Sequence, residues 1–230
     1  MYLAAAPSSI RFDLISPFGA TLTTLTANQT DFALSDLRER RFYYGPARTC
    51  NVEKFTRVPV PPRALVETLR GRPATIVHDE GRTELSFLTP WLGTPHYRIV
   101  LSGEHETRQI LKVGVHPDDG HRPLGEQRLR YLGSELWQAG EQSYSVALSQ
   151  FQVVERKPQP KLEDPLDVPL PVSGPVCEAE LPRRVQFRVP STRYEVTFDH
   201  TEQWHNPPLP PGVFELEAPA GVQSVLSNCE

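Results

Sequence analysis

Several residue types are scarce in this chain of 230 residues, and each shortage removes a class of protein. Basic residues form no run longer than the cluster Arg38, Arg40 and Arg41, and the formal net charge is -4, so the basic stripe of a nucleic-acid binder is missing. No apolar stretch reaches the length of a transmembrane helix. The opening MYLAAAPSS lacks a basic n-region, and its apolar run is too short for a secretion signal. There are three cysteines and no C-x-x-C pair, and no G-x-S-x-G elbow, P-loop or dinucleotide fingerprint. Nothing sets a nucleophile beside a base. The expectation is a non-enzymatic protein with no catalytic residue, metal or cofactor, and with no nucleic-acid partner.

What is present is proline, 24 residues against 14 glycines, a balance that suits many short strands joined by Pro-punctuated loops. Residues 10–15, IRFDLI, alternate Ile10, Phe12 and Leu14 with Arg11 and Asp13, the pattern of a strand with one buried face. A turn at Ser16-Pro17-Phe18-Gly19 follows, then strands at 21–27, 31–34 and 41–44, and one helical turn at 51–55. Further strands are expected at 74–78, 83–88, 97–101, 107–115, 127–131, 135–139, 143–154, 184–189 and 193–199. Residues 155–176, with six prolines, read as an extended surface excursion.

One helix announces both of its ends. In RVPVPPRALVETLRGRP, Pro61 and Pro62 suit a first turn, Leu65 and Leu69 stand four apart, and Gly71 supplies a stop, which predicts a helix over 62–70. Arg63, Glu67 and Arg70 fall on its other side, so it should lie on a sheet like a lid or plug. The fold class expected is mainly β (α+β), one domain over 1–230. Its single curved antiparallel sheet would stop short of closing, an unclosed half-barrel whose concave face the short helices cover.

The run IRFDLISPFGATLTTL and the later VPVPPRALVETLRGRP resemble the outer-membrane lipoprotein receptor LolB and its relatives among periplasmic lipoprotein carriers. The positions that carry the resemblance are Arg11, Ser16, Pro17, Phe18 and Gly19, then Val60, Pro61, Leu65, Gly71 and Pro73, with a looser match over 181–204. It implies a half-barrel with an apolar cavity for the acyl chains of lipids or lipoproteins, working as a monomer in the periplasm or at the periplasmic face of the outer membrane. Neither a signal nor a lipid anchor is expected within these residues.

Phe12, Leu14, Leu22, Phe32, Leu34, Leu65, Leu69, Ile99 and Leu101 are the candidates for such a cavity, but ordinary core residues are of the same types, so a filled core that serves a structural or sensor module binding another envelope protein stays open. In the related receptor the loop matching Pro17, Phe18 and Gly19 carries an exposed apolar residue, and the resemblance implies that Phe18 contacts lipid during delivery; the alternative is that it folds back onto the sheet. Trp91 and Leu92, between prolines, are either a second exposed tip or packed inward. His116-Pro-Asp-Asp-Gly-His121 offers ligand atoms but is built of turn residues, and His200 and His205 are similar. Of Cys50, Cys177 and Cys229, two can pair in an oxidising compartment, and Cys50 with Cys229 is the first choice because it ties down the tail.

Overall fold

The structure, a computed structural model, describes residues 1–6, 8–90, 94–155 and 178–229. Strands β1 (Tyr2–Ala6), β2 (Ser9–Ile15), β3 (Thr21–Ala27), β4 (Asp31–Asp36) and β5 (Arg41–Pro46) form an antiparallel meander. Helices α1 (Thr49–Thr56) and α2 (Pro62–Leu69) follow. A second meander then runs through β6 (Glu84–Leu88), β7 (His96–Ser102), β8 (Thr107–Val115), β9 (Leu129–Gln138), β10 (Glu141–Val154), β11 (Ala179–Val189) and β12 (Tyr194–Asp199). Finally β13 (Gln223–Leu226) returns to lie parallel to β5.

The mainly-β class with two helices and no closed barrel holds, and its sheet is divided. The first sheet has the order β1-β2-β3-β4-β5-β13 and the second β12-β11-β10-β9-β8-β7-β6. The ladder breaks where the chain passes through both helices between β5 and β6, and β13 takes the edge of β5 that another strand of a single sheet would need. One cluster of buried apolar residues still joins the sheets, running from Ile10, Leu25, Phe32 and Leu34 through Leu65 and Leu69 to Leu111, Val146, Phe187 and Phe198. Phe12 on β2 and Phe198 on β12 meet across the gap, ring centroids 5.9 Å apart.

Local chemistry sets the turns. Asn28 Oδ1 accepts from the backbone N–H of Thr30 and Asp31 at 2.8 and 2.7 Å, closing the β3–β4 hairpin as an Asx turn. Ala139 and Gly140 both have positive φ, 49° and 81°, the pairing a two-residue hairpin loop needs between β9 and β10. Helix α2 begins with Pro62 at its first position and ends in a Schellman motif. Arg72 N–H donates to Glu67 C=O at 2.9 Å, and Gly71, at φ 75°, donates to Thr68 C=O at 3.0 Å. Its buried face, Leu65, Val66 and Leu69, touches β2 and β11 and so spans both sheets. Burying each of these leucines contributes roughly 1.5–3 kcal/mol. Helix α1 lies on β4 and β5, with Phe55 stacked 5.5 Å from Phe32 and tilted 5.6 Å from Tyr43.

Four segments differ from expectation. Residues 74–78 form no strand. The buried amide of Gln109 makes the bonds a neighbouring strand would make, accepting from Ile76 N–H at 3.0 Å and donating to Ala74 C=O at 2.8 Å. The strands expected at 127–131 and 135–139 are one strand, β9. Gly133, which lies between the two expected segments, has φ 149°, and Val146 C=O stands where a Cβ would have to be, so it is a point of close packing beside a bulge rather than a turn. Strand β1 was hidden by its alanines, which show no alternation, and β13 by the proline-rich sequence before it. The excursion expected at 155–176 lies, but for Glu155, outside the described residues, as do Trp91, Leu92 and Cys177.

Candidate functional site

The pleat decides which strand residues share a face. Register pairs Phe12 with Leu25 and Ile10 with Ala27, so β2 and β3 present those four to the core. In the second sheet the same face carries Leu85 and Phe87 on β6, Tyr97, Ile99 and Leu101 on β7, Leu111, Val113 and Val115 on β8, and Leu136 on β9. Apart from Gln109 and Ser134 and the bulge in β9, this face is apolar, yet its burial is uneven. Leu101 and Leu111 are buried, whereas on the edge strand Leu85 is 68% and Phe87 53% exposed, Leu124 in the β8–β9 connection is 76% exposed, and Leu129, opposite Val115 on β9, is 61% exposed.

The apolar face therefore continues past the cover of the helices into an open groove of about 410 Å³, lined by Phe87, Tyr97, Val115, Gly120, Leu124 and Gln127. That volume lies in the range of small-molecule pockets, roughly 300–1,000 Å³. Phe87 and Tyr97 face each other across β6 and β7 with centroids 5.0 Å apart, tilted by 56°.

One wall of the groove is the connection between β8 and β9, and an ion pair fastens it. Asp119, with its side chain fully buried, accepts from Arg128 N–H at 2.9 Å, Arg128 Nε at 2.7 Å and Arg128 Nη2 at 3.0 Å, and pairs with Arg122 Nε at 3.2 Å. The hydrogen bonds from the Arg128 side chain and backbone hold its carboxyl well below the usual carboxylate range, against the effect of burial. His116 ties the same connection to β11. Its Nδ1 lies 3.3 Å from both Asp118 N–H and Arg128 Nη2, donors that leave the proton on Nε2, which faces Glu180 Oε1 at 3.3 Å. Glu180 is also paired with Arg130, whose guanidinium sits 4.5 Å from the Phe151 ring. The residues from His116 to His121 thus fasten a loop. Among the described residues no group of three His, Cys, Asp or Glu is placed to hold a metal ion. Burial lowers the pKa of His200 and of His205, the latter also through Arg70 and Arg72.

The cavity candidates separate into three groups. Phe32, Leu34, Leu65, Leu69 and Leu101 are buried in the shared core cluster, and Phe12 and Ile99 pack against it. None of these lines the groove, although Ile99 stands opposite Leu85 beside it. Leu14 lies on the core face of β2 but beyond the end of the core, 43% exposed. Leu22 is on the wrong face: it is an odd number of residues from Leu25, and Leu25 takes the core position opposite Phe12. The groove residues Phe87, Val115 and Leu124 were not among the candidates, since Phe87 and Val115 read as ordinary strand residues and Leu124 lies between Pro123 and Gly125 in a loop.

Pro17, Phe18 and Gly19 form the tip of the β2–β3 hairpin. Gly19 N–H donates to Ser16 C=O at 3.0 Å, closing a turn with Pro17 and Phe18 at its centre, and Gly19 follows at φ 85°. Phe18 is 97% exposed, so it does not fold back onto the sheet.

Cys50 and Cys229 are joined in a disulfide across 179 residues, with Cα atoms 6.0 Å apart. Next to it Asn51, fully buried, donates from Nδ2 to Pro46 C=O and Ser227 C=O, both at 2.9 Å, and accepts from Ser227 Oγ at 2.9 Å. A smaller hollow of about 190 Å³ beside the disulfide is lined by Cys50, Glu53, Lys54, Arg57, Thr192 and Tyr194. No protein-family model matches the chain, and no curated protein matches it.

Proposed function

We propose that this protein binds an acyl chain of a lipid or lipoprotein, without chemistry, in the open groove of the second sheet, and exchanges it with the outer membrane through the tip at Phe18. The observation that carries the reading is the exposed apolar strip of Leu85, Phe87, Leu124 and Leu129 around a groove of about 410 Å³. Soluble domains rarely leave contiguous apolar surface without a use for it. An acyl chain needs only aliphatic and aromatic walls shielded from water. Each methylene buried contributes about 0.8 kcal/mol, so about ten supply roughly 8 kcal/mol before ordering costs, a micromolar scale.

The resemblance of the β2–β3 and α2 motifs to the lipoprotein carriers supports the same reading, and with it a place in the periplasm or on the periplasmic face of the outer membrane. The Cys50–Cys229 disulfide is in keeping with an oxidising compartment. The filled core between α2 and the sheets favours a second reading, a structural or sensor module whose groove takes an apolar side chain of another envelope protein.

Mass spectrometry of lipids extracted from natively purified protein, with titration of a fluorescent fatty acid, tests the proposal. Micromolar binding that Leu124→Glu abolishes without lowering the melting temperature is expected. A protein that carries no lipid and takes up no fatty acid contradicts the first reading.

A further inference from the structure

The Phe18 tip has a neighbour. The β2–β3 and β4–β5 hairpins turn at the same end of the first sheet, for Leu37 N–H donates to Leu22 C=O at 3.0 Å just below both turns. Strands about 4.8 Å apart put the two tips roughly 10 Å from each other. The second turn is held by Asp36, which is nearly buried and whose Oδ1 accepts from Arg38 N–H at 2.9 Å and Glu39 N–H at 3.2 Å. This leaves Leu37 46% exposed, beside Phe18 and Leu14 on the same rim.

Charge at this turn is lopsided. Arg38, Arg40 and Arg41 are all exposed, with Glu39 the exposed acid among them. Arg38 pairs with the inward Asp36 at 3.5 Å and Arg41 reaches Glu39 only at 3.9 Å, while the Arg40 side chain makes no ion pair among the described residues. A rim of Leu14, Phe18 and Leu37 fringed by three guanidiniums has the chemistry of a surface that inserts apolar side chains between lipids and sets cations at the headgroups.

We infer that the two hairpin tips together form a docking surface for an anionic lipid membrane, with Phe18 and Leu37 inserted and Arg38, Arg40 and Arg41 at the phosphates. This deepens the membrane contact proposed above and rests on it, adding a second tip and a choice of lipid charge.

The test is co-sedimentation of the full chain with vesicles of phosphatidylcholine alone and of phosphatidylcholine containing phosphatidylglycerol. Phe18→Glu, Leu37→Ser and Arg40→Asn are the variants, the last keeping a residue that tolerates the positive φ of 53° at that position. Melting curves and fatty-acid titration of each variant serve as controls. Leu37→Ser should weaken binding to both vesicles, whereas Arg40→Asn should weaken binding to the anionic vesicles alone, by about fivefold for one basic residue at the surface. Unchanged binding by both of these variants, with Phe18→Glu still defective, overturns the two-tip surface and leaves the Phe18 contact standing. A wild type that binds neither vesicle overturns both, and fatty-acid binding then judges the groove separately. Loss of self-association instead of vesicle binding would mark the rim as a contact between copies and would also overturn the inference.

Discussion

The two sheets are built from the same alternating strands and differ in what lies on their faces. The first is covered on both. Its inner face packs on α1 and α2, and on its outer face Arg11 Nη1 holds Val213 C=O at 3.0 Å before the chain reaches the β5 edge as β13. The proline-rich tail between those points therefore crosses the outer face, and Thr24, Thr26, Ser35 and Phe42, all directed outward there, are buried. The second sheet is filled from β7 to β12, where Leu101, Leu111, Tyr131, Val146 and Phe187 join the core, and bare on its inner face at β6. The difference teaches that coverage, rather than strand composition, separates core from groove in this molecule.

The strongest way to break the comparison is to put the same charge in both places. Leu65→Asp, in the covered region, should lose roughly 5 kcal/mol through the lost packing and the unpaired buried charge, and thermal or urea denaturation will read it. Leu129→Asp, on the open strip, should move stability by less than about 0.5 kcal/mol. Similar losses at the two sites would mean that the strip is covered in solution.

Next in size is the cover of the first sheet. Closing 179 residues with Cys50–Cys229 is worth roughly 5 kcal/mol in the chain-entropy account. Cys50→Ser with Cys229→Ser should lower the melting temperature by about 10 °C, at roughly 2–4 °C per kcal/mol in a chain of this size. Hydrogen exchange should report the loosening in β5 and β13, with β6 to β8 unaffected.

The chain's own pattern made most strands of both sheets legible, apart from β1 and β13, and left the site obscure. Strand β3 and strand β8 fall at the residues their alternation predicts, and Pro62 and Gly71 bracket α2 because proline and a left-handed glycine have defined places at helix ends. The turn at Ser16-Pro17-Phe18-Gly19 was legible from its residue types, but they left open whether Phe18 points out or folds back, which its 97% exposure decides. The groove was not marked, since Leu85 and Phe87 on β6 read like Phe32 and Leu34 on β4. Their difference is a tertiary fact: Phe55 of α1 stacks on Phe32 of β4, whereas β6 is exposed along its whole length. Gln109 shows the same limit, because a lone Gln gives no sign that its amide will stand in for a strand.

The smallest effect expected is at the groove wall. Asp119→Asn removes the charge that holds Arg128 and Arg122, which should weaken fatty-acid binding severalfold while β9 to β12 keep their protection from exchange. Acid should do the same by titration. The folded-state carboxyl is held below its usual range, so its contribution is complete above the ordinary carboxylate pKa of about 4 and is lost as pH falls from there through the lowered value. Binding should thus be level from neutral pH to about pH 5, and Asp119→Asn should flatten the acid decline below it.

The central claim, an acyl site in the open groove beside a filled core, is tested most directly by nuclear magnetic resonance with a spin-labelled fatty acid. The account predicts paramagnetic broadening at Phe87, Tyr97, Val115 and Leu124, with Leu65, Leu69 and Phe32 left sharp. Broadening centred on Leu65 and Leu69 would place the ligand between α2 and the sheets and contradict it.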